Sequence, residues 1–97
     1  MNEADIAEDI DWRISHNKVM IFSKSTCPHC DSAKEMLRDK GVGFKVLELE
    51  NKSDCATWQK VLREKSGIFT VPNIWINGEH IGGNQQLIEL EANGLLD

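Results

Sequence analysis

Two of the three cysteines, Cys27 and Cys30, lie three positions apart in the segment FSKSTCPHCDSAKEML. Such a pair can form a structural disulfide, ligate a metal or carry out thiol chemistry. A zinc site needs a second close pair of ligands, and Cys55, His16 and His80 are isolated in the sequence. A structural disulfide that closes so short a loop constrains the unfolded chain very little. The pair therefore predicts redox chemistry and no metal site.

The two cysteines are expected to have unequal roles. Cys30 shares one face of a predicted helix with Ala33 and Leu37, so its sulfur should face inward. Cys27 falls at the start of this helix, where unpaired N–H groups and the helix dipole favour a thiolate, and Lys24 adds positive charge nearby. Residues at i and i+3 are close enough for a disulfide to form. The sequence thus predicts an exposed attacking thiol and a shielded resolving thiol.

The elements that position this pair follow from apolar periodicity, caps and turn residues. The predicted order is helix, strand, helix, strand, helix, strand, strand, helix, with one hairpin at Asn77-Gly78. The first helix covers about residues 4–16, and strands cover 19–22 and 44–49. Further helices run from 28 to before 41, from a cap at Ser53 or Asp54 to before Gly67, and from a cap at Asn84 to 93–94. This order predicts an α/β fold with a single mixed sheet between helices.

The length and the net charge of the chain limit the classes of function that it can have. A chain of 97 residues with 40% apolar residues predicts one domain over residues 1–97. The net charge of -5 argues against binding to nucleic acid or to an anionic membrane, since both are polyanions. The acidic start is unlike a signal peptide, and no apolar run approaches the ~20 residues of a membrane helix. Cysteines in an odd number, without the framework of a secreted fold, predict a cytoplasmic protein.

Three segments in this order, KSTCPHC, TVPNIWINGEHIGG and the closing helix, resemble a dithiol glutaredoxin. The resemblance covers nearly the whole chain. It implies a thioredoxin-like fold with a single mixed four-stranded β-sheet flanked by helices. It implies a monomer with no tightly bound cofactor, and glutathione or a related small thiol as cosubstrate. The implied activity is reduction of protein disulfides and of protein–glutathione mixed disulfides.

The same resemblance implies Cys27 as the nucleophile and Cys30 as the resolving thiol. The residues that it implies for glutathione binding are Lys24, His29, Thr70, Val71, Pro72 in the cis form, Gly83, Asn84 and Gln85. Asn84 stands where the family usually has an aspartate, so the glutamyl amino group loses a counter-charge, whereas helix N–H groups still attract the carboxylate. His29 stands where the family most often has a tyrosine. It is either an exposed loop residue or a cation that favours the Cys27 thiolate.

Two alternative functions remain at this point. One is an iron–sulfur cluster carrier, in which Cys27 of two subunits and two glutathione molecules hold the cluster. Pro28 argues against this function, because relatives with the proline-containing pair are usually poor cluster binders. The other alternative is a binding or assembly module with incidental thiols. For Cys55, the shared helical face with Trp58 and Leu62 favours packing in the core.

Overall fold

The computed structural model describes residues 2–94, which contain four α-helices, four strands and one 3₁₀ helix. The elements are α1 (Glu3–Ser15), β1 (Val19–Ser23), α2 (Pro28–Asp39), β2 (Lys45–Glu48), the 3₁₀ helix (Leu49–Asn51), α3 (Cys55–Ser66), β3 (Asn73–Ile76), β4 (Glu79–Gly82) and α4 (Asn84–Ala92). The predicted order of helices and strands is confirmed. None of the described helices is both long and apolar enough to cross a membrane.

The four strands form one mixed sheet in the order β2-β1-β3-β4. Strand β1 pairs parallel with β2 and antiparallel with β3, and β3 pairs antiparallel with β4. The β3–β4 hairpin turns at Asn77 and Gly78, whose φ angles are 52° and 81°. A two-residue hairpin turn needs positive φ at both positions, which asparagine and glycine tolerate best. At the other end of the sheet's chain order, β1 ends at Ser23 and leads directly into the loop that carries Cys27.

The side chains of β1 alternate between the two faces of the sheet and contribute to two apolar clusters, one on each face. Met20 and Phe22 face α1 and α3, whereas Val19 and Ile21 face α2 and α4. All four side chains are buried because β1 is a central strand with helices on both faces. Ser23, the next residue on the second face, is also fully buried although it is polar. The strand thus ends with a hydroxyl group under the N-terminal half of α2.

Two differences from the predicted element boundaries bear on the site. The second strand is shorter than residues 44–49, because the chain turns into the 3₁₀ helix at Leu49. Asn84 is the first residue of α4 and not its cap, which is Gly83. The Gly83 N–H donates to the side-chain oxygen of Gln86 at 2.8 Å. Gln86 therefore supports this terminus from within the helix, and no side chain is needed at the cap position.

Candidate active site

Cys27 is the N-cap of α2, with extended backbone at the end of the β1–α2 loop. The Cys30 N–H donates to the Cys27 sulfur at 3.3 Å, and the Cys27 thiol faces the Val71 carbonyl oxygen at 3.7 Å. The side chain is partly exposed. A sulfur that accepts a backbone N–H at a helix start is in the environment that activates thiols as nucleophiles.

Cys30 lies three residues later and is completely buried, at 0% exposure. Burial raises the pKa of the Cys30 thiol, and its hydrogen bond with Cys27 raises this pKa further. Hydrogen bonds with the Ser23 side chain and the Lys24 backbone oppose the rise only in part. Both thiols are free. The predicted pair of one accessible sulfur and one shielded sulfur is therefore present in the structure.

The segment Thr70-Val71-Pro72 runs past the Cys27 sulfur, and its Val71–Pro72 peptide bond is cis. Beside it lies a depression of about 480 Å³. Its lining residues are His29, Thr70, Val71, Pro72, Gly83, Asn84, Gln85, Gln86 and Ile88. The structure thus brings together every predicted glutathione-binding residue except Lys24. His29 is an exposed member of this wall.

Lys24 lies on the other side of the same segment. It lines a second depression, of about 290 Å³, that shares Thr70 and Val71 with the first. The other lining residues are Leu49, Gln59, Leu62, Arg63, Ile68, Phe69 and Asn73. The two depressions therefore flank Thr70 and Val71, and together they have room for an extended ligand the size of a tripeptide.

Three residues of this second wall were not predicted from the sequence, namely Gln59, Arg63 and Phe69. Arg63 holds its guanidinium group 5.1 Å from the centre of the Phe69 ring, and the Phe69 side chain is 79% exposed. Gln59 and Arg63 are one helical turn apart in α3, beside the inward face formed by Trp58 and Leu62. Their spacing was a usable signal, but no pattern in the sequence indicated that this helix borders the cysteine loop.

Glu50 is a further missed residue. Its carboxylate accepts the Ser25 N–H at 2.9 Å and also the Ser25 hydroxyl. These two hydrogen bonds lower the pKa of Glu50, and the positive charge of Lys24 lowers it further. The 3₁₀ helix is thereby attached to the loop two residues before Cys27. A contact between positions 25 apart had no local signal in the sequence.

The N-terminus of α4 forms the far end of the first depression. The N–H groups of a first helical turn lack partners within the helix and attract anions. The side-chain oxygen of Asn84 is buried here and has no partner within residues 2–94. The site can therefore bind a carboxylate through the backbone N–H groups of α4. The Asn84 side-chain oxygen beside it is an uncharged hydrogen-bond acceptor.

No cluster of three or more histidine, cysteine, aspartate or glutamate side chains suited to a metal ion occurs in the described part of the chain. Cys55, the third thiol, is partly buried against the core and accepts a hydrogen bond from Gln59 at 3.2 Å. The predicted packing role of Cys55 is thus confirmed in part.

Known proteins agree with this arrangement. The family model described as glutaredoxin matches residues 19–81. A glutaredoxin of Vernicia fordii is 43% identical over 86% of this chain and 80% of its own, and glutaredoxin-1 of Rhizophagus irregularis is 40% identical over 96% and 92%. The crystal structure of a buckwheat glutaredoxin–glutathione complex superposes with a TM-score of 0.93 at 30% identity, over 97% of this chain and 86% of that chain.

The matched region runs from β1 to β4 and includes both cysteines and the cis-proline segment. The fold is thus thioredoxin-like, as the sequence resemblance implied. The identity to curated relatives is about 40% over most of each chain. This chain belongs to the glutaredoxin family, whose members are thiol oxidoreductases.

Proposed function

We propose that this chain is a glutathione-dependent oxidoreductase that reduces protein disulfides and protein–glutathione mixed disulfides through its CPHC motif. One observation carries the proposal. The partly exposed Cys27 sulfur accepts the N–H of Cys30, whose own sulfur is fully buried. An accessible nucleophile next to a protected second thiol is the arrangement that thiol–disulfide exchange requires.

The two depressions are the proposed glutathione site. The γ-glutamyl carboxylate binds the N-terminus of α4 at Gly83, Asn84 and Gln85. The cysteinyl backbone pairs with Thr70 and Val71 in the manner of an added strand. This orientation places the glutathione sulfur beside Cys27, since the Val71 carbonyl oxygen is 3.7 Å from the Cys27 sulfur. The buckwheat relative, solved with glutathione, supports the choice of ligand.

The glycyl carboxylate of glutathione would then reach the second depression. Lys24 and Arg63 line it and are its cationic groups, and Gln59 also lines it. His29 and Pro72 border the middle of the site. Positive charge at this end matters because the whole chain carries a net charge of -5 and repels an anionic tripeptide.

Deglutathionylation needs only the first cysteine. The Cys27 thiolate attacks the glutathione sulfur of a mixed disulfide, a new sulfur–sulfur bond forms on Cys27, and the target protein leaves as a thiolate that takes a proton from water. A second glutathione thiolate then attacks this adduct. Oxidised glutathione leaves and the Cys27 thiolate returns. Every electron removed from glutathione ends on the target thiol.

Reduction of a disulfide within a protein needs both cysteines. Attack by Cys27 leaves the substrate tethered to this residue, and the neighbouring Cys30 then displaces it by forming the Cys27–Cys30 disulfide. The second thiol acts at high effective concentration because it lies one helical turn away. Two molecules of glutathione then return the pair to its dithiol form.

Two single variants separate these roles. Cys30→Ser should retain turnover of a glutathionylated peptide and lose most reduction of an intramolecular protein disulfide. Cys27→Ser should lose both activities, because the buried Cys30 cannot reach a substrate. The measurement is NADPH-coupled turnover of each substrate with glutathione and, in parallel, with other low-molecular-weight thiols. Retention of either activity in folded Cys27→Ser would contradict the proposal, as would loss of both in folded Cys30→Ser.

We propose further that the chain functions as a single domain and a monomer in the cytoplasm. Its three free thiols support a reducing compartment. The binding partners are then small thiols and disulfide-bearing proteins, without nucleic acid or membrane. No observation in the described residues favours the iron–sulfur carrier or the assembly module as the principal function.

A further inference from the structure

Large apolar side chains that remain exposed are concentrated around the active site. The described residues contain three of them, Trp12, Phe69 and Ile88, of which Phe69 is the most exposed at 79%. Ile88 lines the first depression and Phe69 lines the second. A single exposed apolar side chain needs no explanation, whereas one that extends an apolar wall beside a reactive thiol is suited to contact a substrate.

The wall of the second depression combines apolar side chains with positive charge. Its charged members, Lys24 and Arg63, are both cationic, and neither is ion-paired with another described residue. Its apolar members are Leu49, Leu62, Ile68, Phe69 and Val71. In a chain with a net charge of -5, this wall is complementary to a segment that carries both a carboxylate and an apolar side chain.

Arg63 and Phe69 form one unit of this wall. The guanidinium carbon of Arg63 lies over the Phe69 ring at 5.1 Å from its centre, which is within the range of a cation–π contact. A guanidinium group in contact with a ring through its face keeps N–H donors in its own plane that can bind a carboxylate. The two side chains therefore present an apolar surface and a charged donor next to each other.

The proposed orientation of glutathione determines which part of a longer substrate meets Phe69. The γ-glutamyl end lies in the first depression, which Pro72 lines, and the glycyl end lies in the second, which Phe69 lines. The ligand chain therefore runs antiparallel to residues 69–72. If the ligand cysteine is opposite Val71, the next residue is opposite Thr70 and the one after it is opposite Phe69. Glutathione ends one residue short of Phe69, whereas a polypeptide substrate reaches it.

We propose that disulfide reduction favours protein substrates whose reactive cysteine is followed by an acidic residue and then by an apolar residue that contacts Phe69. The acidic side chain takes the place of the glycyl carboxylate at Lys24 and Arg63, because in a longer chain that carboxylate has become a peptide group. The apolar side chain forms a cross-strand pair with the Phe69 ring. This selectivity rests on the proposed function of Cys27 and alters no step of the thiol–disulfide exchange.

Symmetric peptide disulfides test this selectivity in the absence of glutathione. The two halves are identical peptides, amidated so that they carry no C-terminal carboxylate, with Cys-Glu-Leu, Cys-Glu-Ser or Cys-Lys-Leu at their centre. Cys27 forms a disulfide with one half and the other half leaves as a thiol, and Cys30 then displaces the bound half. Acid quench and mass spectrometry give the rate of the first attack. Each rate is divided by that of dithiothreitol with the same disulfide, which removes intrinsic differences in reactivity.

The wild type should attack the Cys-Glu-Leu disulfide about two- to fivefold faster than the Cys-Glu-Ser disulfide, the range expected of an aromatic–apolar cross-strand pair. It should also attack Cys-Glu-Leu faster than Cys-Lys-Leu, since Lys24 and Arg63 repel a second cation. Phe69→Ala should abolish most of the preference for leucine over serine and retain the preference for glutamate over lysine. Phe69→Leu keeps an apolar side chain and should retain part of the first preference.

Trp12→Ala is the matched control. This variant also removes an exposed aromatic ring, but Trp12 lies in α1 and lines neither depression. Both preferences should therefore equal those of the wild type. Thermal unfolding of each variant shows whether the fold is retained.

The outcomes separate this inference from the proposed function. Equal normalised rates for the leucine and serine peptides with the wild type would overturn the inference. An unchanged preference in folded Phe69→Ala, or an equal loss of preference in Trp12→Ala, would overturn it as well. If instead the wild type fails to turn over a glutathionylated peptide with glutathione, the proposed function is wrong, and the peptide preferences are measured without that cosubstrate.

Discussion

At the scale of single residues, chemistry in this molecule depends on which sulfur meets solvent. Cys27 and Cys30 differ by one helical turn, but the first is partly exposed at the N-cap and the second is fully enclosed by the layer beneath α2. The Cys30 N–H donates to the Cys27 sulfur, so the backbone of the resolving residue stabilises charge on the attacking residue. The division of labour follows from the position of each cysteine in the helix.

Alkylation measures this difference directly. With iodoacetamide at pH 7.5, Cys27 should be modified at least tenfold faster than Cys30, because Cys30 is inaccessible and burial raises the pKa of its thiol. Cys55 should react at an intermediate rate, since it is partly exposed. The rates come from peptide mass spectrometry of timed samples. Modification of Cys30 as fast as Cys27 in folded protein would contradict the assigned roles.

Residue types and local spacing were enough to predict part of this site. Cys27, Cys30 and the Asn77-Gly78 turn each depend on neighbours within four positions, so their roles could be inferred from the sequence. Arg63 and Glu50 could not be found in this way. Glu50 contacts Ser25, which lies 25 positions earlier in the chain, and Arg63 lines the same depression as the distant Lys24. Local periodicity does not encode which side chains meet across elements.

At the scale of elements, the loop between β1 and α2 is held from two sides. The Cys27 N–H donates to the Lys24 carbonyl oxygen at 3.2 Å within the loop. The second restraint comes from the 3₁₀ helix, where Glu50 accepts two hydrogen bonds from Ser25. This helix takes the place of the last predicted strand residue, because the chain must leave the sheet at Leu49. The 3₁₀ helix, which follows the shortened strand, thus contacts the active-site loop through Glu50.

Removal of this contact should lower activity without unfolding the protein. Glu50→Ala deletes the carboxylate oxygen that accepts both hydrogen bonds from Ser25. Deglutathionylation should fall a few-fold as the loop before Cys27 becomes less ordered. Since hydrogen bonds lower the pKa of Glu50, the wild-type contact is present above the ordinary carboxyl pKa of 4.5 and is lost only as pH falls through the lowered value.

The measurement is kcat and KM for a glutathionylated peptide, together with the thermal midpoint. Glu79→Ala in strand β4 is a suitable control, because this exposed carboxylate is at the edge of the sheet remote from the loop. Activity of Glu50→Ala equal to that of the control would mean that the contact has no catalytic consequence.

At the scale of the whole molecule, the central sheet divides two apolar clusters and carries the active site at one end of β1. The cluster under α1 and α3 contains Ile6, Ile10 and Trp58, all nearly or completely buried. The other, under α2 and α4, contains Ala33, Leu37 and Leu87, and Cys30 is a further buried residue of α2. Periodicity predicted the helix faces well, because burial of one stripe per helix is what a three-layer fold demands. It could not predict which faces meet.

Strand β4 contributes a pH-sensitive group to the stability of this fold. The His80 ring lies 4.8 Å from the Trp75 ring at a tilt of 53°, and its Nε2 is buried without a partner in the described structure. Burial lowers the pKa of His80 below its ordinary value of 6.5. The unfolded chain therefore binds a proton at this residue more readily than the folded chain as pH falls below about 6.5. The folded state is relatively most stable above that pH.

His80→Phe should make stability less sensitive to acid. Phenylalanine keeps an aromatic ring beside Trp75 but has no nitrogen to protonate, so the free energy of unfolding should fall less between pH 7 and pH 5 than it does in the wild type. Urea unfolding at pH 7, 6 and 5, followed by tryptophan fluorescence, measures both slopes, and carboxylates elsewhere affect the two proteins alike. Parallel pH dependences would show that His80 binds its proton equally well in the folded and unfolded chains, whereas a steeper dependence in the variant would reverse the sign expected from burial.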